Sequence, residues 1–198
     1  MSDSVVIINT HPGSNPDFVE PLVEYVQSVS IQPEVMDGYD GKSPLIRNPA
    51  HVILTGVPLS ANYSLSDRSV QKVIEKNFGW LRDCQCPVLG VCYGLQILTH
   101  IFGGEVSQLP MLVKDDCLQL SWNMSSNSSL FPAKGRLVVF AEHRDYVSKI
   151  PNGFDLISKI DQVPYIVVNP HKRMIGMQFV PEQSDRASQE LLRRFLES

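Results

Sequence analysis

The sequence predicts an α/β fold: a mostly parallel central sheet flanked by helices, with an added antiparallel β region, forming a single domain over residues 1–198. Three observations carry this expectation. Short apolar runs rich in β-branched residues, without polar alternation, occur at residues 5–8 (VVII), 51–54 (HVIL) and 87–91 (PVLGV), as in strands buried on both faces of a parallel sheet. Amphipathic stretches with helix-start residues separate them, so that strand, loop and helix recur. After residue 105 the texture changes to short β-like runs divided by Asn, Gly, Pro and Ser turns.

Taken in order, residues 5–8 open the sheet. Asn15, Pro16 and Asp17 give a cap, a first-turn proline and an early acid, followed by Phe18, Val19, Leu22, Val23, Val26 and Val29 at helical spacing. Residues 31–36 read as a further strand, which Pro33 confines to an edge or an interrupted segment. The run at 51–54 ends in Thr55-Gly56-Val57-Pro58, a loop. Ser66-Asp67 starts a helix that runs to about Asn77, with Gly79 at its C-terminus. Residues 87–91 lead without spacer into Cys92 and a helix over 95–102, closed by Gly103-Gly104. Strand-like runs follow at 117–122, 137–140, 165–168 and 174–179, and a final helix from Ser184-Asp185 places Leu191, Leu192, Phe195 and Leu196 on one face.

Composition excludes several classes. The chain has 198 residues, one domain's worth, and no apolar run approaches the roughly 18 to 20 residues of a membrane-spanning helix. Lys and Arg total 17 against 21 Asp and Glu, a formal charge of −4, without the clustered basic footprint that nucleic acid demands. No membrane and no nucleic-acid partner is therefore expected. The N-terminal residues carry no basic leader and too short an apolar stretch for a secretory signal, which predicts a cytoplasmic protein. In that compartment the sequons at Asn62, Asn123 and Asn127 are idle, and Cys84, Cys86, Cys92 and Cys117 are thiols. Cys84-x-Cys86 has no second ligand pair at zinc spacing, so no metal and no cofactor is expected.

Gly90-Val91-Cys92-Tyr93-Gly94 joins a buried strand directly to a helix. A side chain on so sharp a turn is presented at the carboxyl edge of the sheet, the arrangement of a nucleophile elbow. A thiol at a helix N-terminus is also expected to have a depressed pKa. The plain alternative is a small buried hydrophobe.

Residues 87–98, PVLGVCYGLQIL, resemble the nucleophile motif of the class I glutamine amidotransferases. Residues 52–60 (VILTGVPLS) look like that family's oxyanion-strand segment, 141–154 (AEHRDYVSKIPNGF) its late His-x-Asp region, and 176–182 (GMQFVPE) its catalytic His/Glu motif. Four motifs in the family's order span nearly the whole chain, and Tyr93 and the chain's size look most like the glutaminase portion of the GMP synthetases. The resemblance implies a class I amidotransferase-like fold and thioester chemistry: Cys attacks the side-chain amide of glutamine, His moves the proton, ammonia leaves, and Glu orients the His. Cys92 matches the nucleophile and Glu182 the orienting acid. The family His, two residues before the Glu, is here Val180, which can neither accept nor deliver a proton. Turnover is expected to be badly impaired, since acid–base catalysis contributes about 10²–10⁴ in rate and triad members act as a unit.

The resemblance places oxyanion donors at Val57, where the family usually has Gly, and Tyr93. A valine is tolerable there unless the loop needs φ > 0. Substrate-binding positions fall on Gly56, Gly94, Gln96, His143 and Asp145. Lys114-Asp115-Asp116-Cys117 departs from the family's usual Arg-Glu-Tyr-Gly-like run. His143, which the resemblance places on a loop near the active site, is the best candidate to replace the lost base; His11 has no motif support, and His51, His100 and His171 read as structural or solvated. Glu182, without its partner, reads equally as a solvated carboxylate. Two functions remain: an amidotransferase or glutaminase subunit delivering ammonia to a synthase partner, or a catalytically inactive pseudoenzyme that binds glutamine, a related small molecule or a partner protein. A hydrolase of γ-glutamyl compounds inherits the same missing His.

Overall fold

The computed structural model of the protein describes residues 4–57, 63–124 and 131–198. Strands β1 (Val5–Asn9), β2 (Glu34–Asp37), β3 (His51–Leu54), β4 (Val88–Val91), β7 (Asp155–Ile160), β8 (Val163–Asn169) and β9 (Met174–Met177) form one seven-stranded sheet in the order β2-β1-β3-β4-β9-β8-β7. The first five in that order pair in parallel, while β8 and β7 add antiparallel. β5 (Glu105–Asn123) and β6 (Lys134–Lys149) make a separate antiparallel pair.

The unalternating apolar runs arise because both faces of the sheet are covered. In β1, Val5 and Ile7 join a core cluster with Leu22 and Val26 of helix α1 (Glu20–Ser28) and Leu192 and Phe195 of helix α4 (Arg186–Leu196). Val6 and Ile8 point the other way, into a cluster with Ile74 and Phe78 of helix α2 (Arg68–Phe78) and Ile97 and Leu98 of helix α3 (Tyr93–Ile101). Each such side chain contributes about 1.5–3 kcal/mol on full burial. Asp67 and Asp185 cap α2 and α4 through their side chains, accepting from Ser69 and Ser188 N–H.

Several expectations are corrected. The single helix expected from Pro16 is two pieces: Asn15 caps a 3₁₀ turn, Pro16–Phe18, and α1 starts at Glu20. Pro21 has no N–H to continue a helix from the preceding turn but fits the first turn of a new one. Gly79 caps α2 without a left-handed turn, at φ −55°, and leads into a 3₁₀ turn, Gly79–Arg82. The strand expected at 31–36 starts only after Pro33 and is, as expected, an edge strand.

The larger differences lie after residue 105. The short runs at 117–122 and 137–140 belong to strands of 19 and 16 residues, and β7 was not foreseen. His143, expected on a loop, sits within β6 opposite Val113. The ladder shifts register between Gln108 and Val113. The four residues between them, with Pro110 where no ladder N–H is needed, face only Arg144. Such an irregular, half-exposed strand carries no clean period of two.

Candidate functional site

The parallel strands β1, β3, β4 and β9 all end on one edge, where open α/β sheets bind ligands. Cys92 follows β4 there, at φ 50° and ψ −101°, a sparsely populated conformation that costs about 1–3 kcal/mol. The surroundings hold it: Cys92 N–H donates to Met177 O at 2.7 Å, and Gly94 N–H to Thr55 O at 3.1 Å. The two glycines make this possible, since a Cβ on Gly90 would lie 2.6 Å from the Gly94 carbonyl and one on Gly94 2.5 Å from Leu54 O. Gly56 approaches the same residue, its ideal Cβ position 3.3 Å from Cys92 Cβ.

The expected low thiol pKa is corrected. Burial pushes the Cys92 thiol up to about 12, against weaker lowering by the Tyr93 backbone N–H and the Gln178 amide. Only 8% of Cys92 is exposed, and loss of water outweighs the helix N-terminus. Gln178 Nε2 donates to Cys92 Sγ at 3.7 Å, and its Oε1 is buried without a partner. This neighbour of the thiol was missed, although it lies two residues before Val180 in the GMQFVPE stretch.

A cavity of about 320 Å³ opens over the elbow, and Val57, Cys92, Tyr93, Gln96, His143 and Asp145 line it. Six expected site positions thus meet in one space, with Gly56 and Gly94 in the backbone behind it. Val57 is not among the residues with positive φ, so its side chain imposes no strain of that kind. The expected oxyanion-strand segment is seen only as far as Val57, residues 58–62 lying outside those described. Charged groups not foreseen, Glu142 and Arg144, also line the cavity; both lie in the AEHRDYVSKIPNGF stretch. Leu112 of the β5 bulge closes one side, and Arg144 Nε donates to Leu109 O at 3.2 Å to tether that bulge.

His143 is 2% exposed, and burial pushes its pKa down to about 4, so the ring is neutral. Its Nδ1 lies 3.1 Å from Asp145 O and its Nε2 3.1 Å from the Tyr165 hydroxyl. A carbonyl only accepts, so Nδ1 carries the proton and Nε2 accepts from Tyr165. Both ring nitrogens are engaged. Gln96 Nε2 donates to the same Asp145 carbonyl at 3.2 Å, and the Asp145 carboxylate accepts from Ser64 Oγ.

Val180 and Glu182 are not among the residues lining the cavity. They are held on the connection between β9 and α4, which is fastened to β6: Val180 N–H donates to Phe140 O at 3.2 Å, Phe140 N–H to Ser184 Oγ at 3.0 Å, and Val138 N–H to Asp185 Oδ2 at 2.8 Å. The solvated reading of Glu182 is corrected. Its Oε2 is buried with no hydrogen-bond partner, and burial pushes its carboxyl up to about 7.

Of the other histidines, His51 Nε2 is 3.2 Å from Ser198 O, His100 Nε2 lies 3.8 Å from Glu75 Oε2, and His171 is exposed. Among the described residues, no group of three or more His, Cys, Asp or Glu could hold a metal ion, and no helix is long and apolar enough to cross a membrane.

The sequence pattern described as Glutamine amidotransferase class-I matches residues 15–198. The chain is 34% identical over 137 residues to the glutamine-hydrolyzing GMP synthase of Streptococcus mutans, covering 68% of this chain and 25% of that protein. It is 34% identical over 151 residues to the corresponding protein of Clostridium botulinum, covering 75% and 28%. The chain thus spans about a quarter of the length of the curated relatives it matches. Among solved structures, a Thermoplasma acidophilum protein assigned to the GMP synthase subunits superposes with a TM-score of 0.74 at 15% identity, over 100% of this chain and 94% of that one. A glutamine amidotransferase from Thermotoga maritima aligns with a TM-score of 0.65 at 19% identity, over 100% and 82%. These likenesses in shape concern the fold.

Proposed function

Because the chain belongs to the class I glutamine amidotransferase family, we propose that the cavity over Cys92 takes glutamine, and that its hydrolysis there to glutamate and ammonia is strongly impaired. The observation that carries this reading is the Glu182 carboxyl near Val180, whose Oε2 is buried with no hydrogen-bond partner. An acid that orients an imidazole is left with a hydrocarbon two residues away.

In the productive reaction the Cys92 sulfur attacks the amide carbon, the C–N bond breaks, and ammonia leaves behind a thioester that water cleaves. Two proton movements are required: off the thiol, and onto the departing nitrogen. Among the described residues that line the cavity, no imidazole is free for either. Burial keeps the Cys92 thiol protonated at pH 7, and His143 has both ring nitrogens engaged. Binding groups remain. Arg144 and the carboxylates Glu142 and Asp145 line the cavity and match the two charges of a free amino acid, while the Tyr93 N–H and the Val57 backbone are the donors this reading assigns to the oxyanion.

The retained alternative is a pseudoenzyme whose cavity or surface serves a partner. Its support is Met111 and Leu112, 78% and 48% exposed on the bulge at the cavity rim, apolar surface at the mouth of the site. A synthase is the partner proposed in either reading, since the matched relatives are GMP synthases that extend well beyond the matched part. Calorimetric titration of L-glutamine into the purified chain tests the shared premise. Saturable binding that weakens when Asp145→Asn is introduced is expected, and a flat titration overturns the glutamine reading.

A further inference from the structure

At the end of β4 opposite Cys92, the chain carries a pair of thiols that the amidotransferase reading does not use. Cys84 Sγ and Cys86 Sγ are 3.2 Å apart, on the segment between the 3₁₀ turn Gly79–Arg82 and β4. Cys86 lies six positions before Cys92, about 20 Å of extended chain, so the pair is distinct from the elbow. The two sulfurs differ. Cys84 is 1% exposed and packed in the α2–α3 core cluster, whereas Cys86 is only partly buried at its margin.

We propose that Cys84 and Cys86 form a redox-active dithiol that hydrogen peroxide converts to a reversible intramolecular disulfide. Closing the bond moves the sulfurs from 3.2 Å to about 2.05 Å, a shift within reach of an irregular segment. The neighbouring turn between β8 and β9 supplies positive charge: Lys172 Nζ is anchored on Arg82 O at 2.7 Å, and Lys172 and Arg173 act on Cys84 and Cys86 respectively. The thiol of Cys84 and the positive field hold Cys86 below the ordinary thiol range, while that same contact, and after it burial, raises Cys84. The roles divide accordingly.

The Cys86 thiolate attacks one peroxide oxygen, the O–O bond breaks, and the departing hydroxide takes a proton to leave as water. Cys86 is now a sulfenic acid. The Cys84 sulfur then displaces its hydroxyl, the S–S bond forms, and the thiol proton leaves with that hydroxyl as a second water. Two thiols are oxidised and one peroxide is reduced to two waters.

Intact-mass and peptide-mapping mass spectrometry of the full chain, before and after graded hydrogen peroxide, tests this directly. The expected result is loss of the mass of two hydrogens, a peptide linked through Cys84 and Cys86, Cys92 still open to alkylation after unfolding, and full reversal by a dithiol reductant. In Cys84→Ser the sulfenic acid at Cys86 is expected to persist and react with a cyclic diketone probe, with no such labelling of Cys84 in Cys86→Ser. Both thiols remaining free at peroxide doses that oxidise the exposed Cys117 overturns the proposal. So does a product confined to intermolecular dimers or to a stable sulfinic acid at Cys86. The mapping on the unaltered chain reads the outcome even if a variant does not fold.

Discussion

Val180→His is expected to raise the rate of ammonia release from glutamine by about 10²–10⁴-fold over the native chain. Much of what such a rescue needs is already in place. The strained Cys92 backbone is held by Met177 O and Thr55 O, and the β9–α4 connection bearing residues 180 and 182 is fastened to β6. The Glu182 Oε2 is an acceptor without a donor, so on the proposed reading an imidazole at 180 satisfies it through one ring nitrogen and serves the thiol with the other. An imidazole titrating near neutrality takes the Cys92 proton and returns it to the departing nitrogen. The gain is measured by coupled ammonia assay at saturating glutamine. It should disappear when Cys92→Ala is added and fall when Glu182→Gln is added, because the three groups act as a unit. A Val180→His chain that binds glutamine and stays silent would show that more than the proton shuttle has been lost.

Glu182→Gln is expected to stabilise the native chain, and to do so in a pH-dependent way. In the folded protein the Glu182 carboxyl is raised to about 7 from an ordinary 4.5. The unfolded chain therefore releases this proton first as pH rises. The stabilising contribution of the neutral acid is complete below about pH 4.5, declines as pH climbs toward 7, and is gone above it. The neutral glutamine side chain escapes that loss, which is on the order of 3 kcal/mol at 1.36 kcal/mol per pKa unit. Thermal unfolding should accordingly place the Tm of Glu182→Gln roughly 5–10 °C above the native chain at pH 8, with little difference at pH 4. Other titrating groups cancel in the comparison. Equal Tm values at pH 8 would mean that Glu182 is solvated or paired. In a Val180→His background the difference should shrink, since the acid then has a partner.

The parts of this molecule that local chemistry dictates were legible in the sequence. Residues 5–8, 51–54 and 87–91 lack alternation because helices cover both faces of their sheet, and Gly90 and Gly94 are where a Cβ would strike backbone. Val180 was read, from the resemblance, as standing where the family has His. The protonation of Cys92 was not, because it depends on burial that only the folded chain brings about, and Glu142 and Asp145 of β6, distant in sequence, both raise that thiol further. The long hairpin itself was hidden by Pro110, the bulge beside Arg144 and the charged, half-exposed stretch that follows. Gln178 sat within a quoted motif, yet its contact with the thiol emerges only when β9 lies beside β4. The burial of the Glu182 carboxyl likewise belongs to the packing of the β9–α4 connection.

On the proposed reading, this family member keeps the glutamine cavity but lacks a base for Cys92. Ammonia release from glutamine by the native chain, measured beside Cys92→Ala under identical conditions, tests that most directly. The two rates are expected to be indistinguishable. A native rate within the ordinary enzymatic range of about 1–10³ s⁻¹ that vanishes in Cys92→Ala would contradict the proposal, and would mean that another group in the cavity moves the proton.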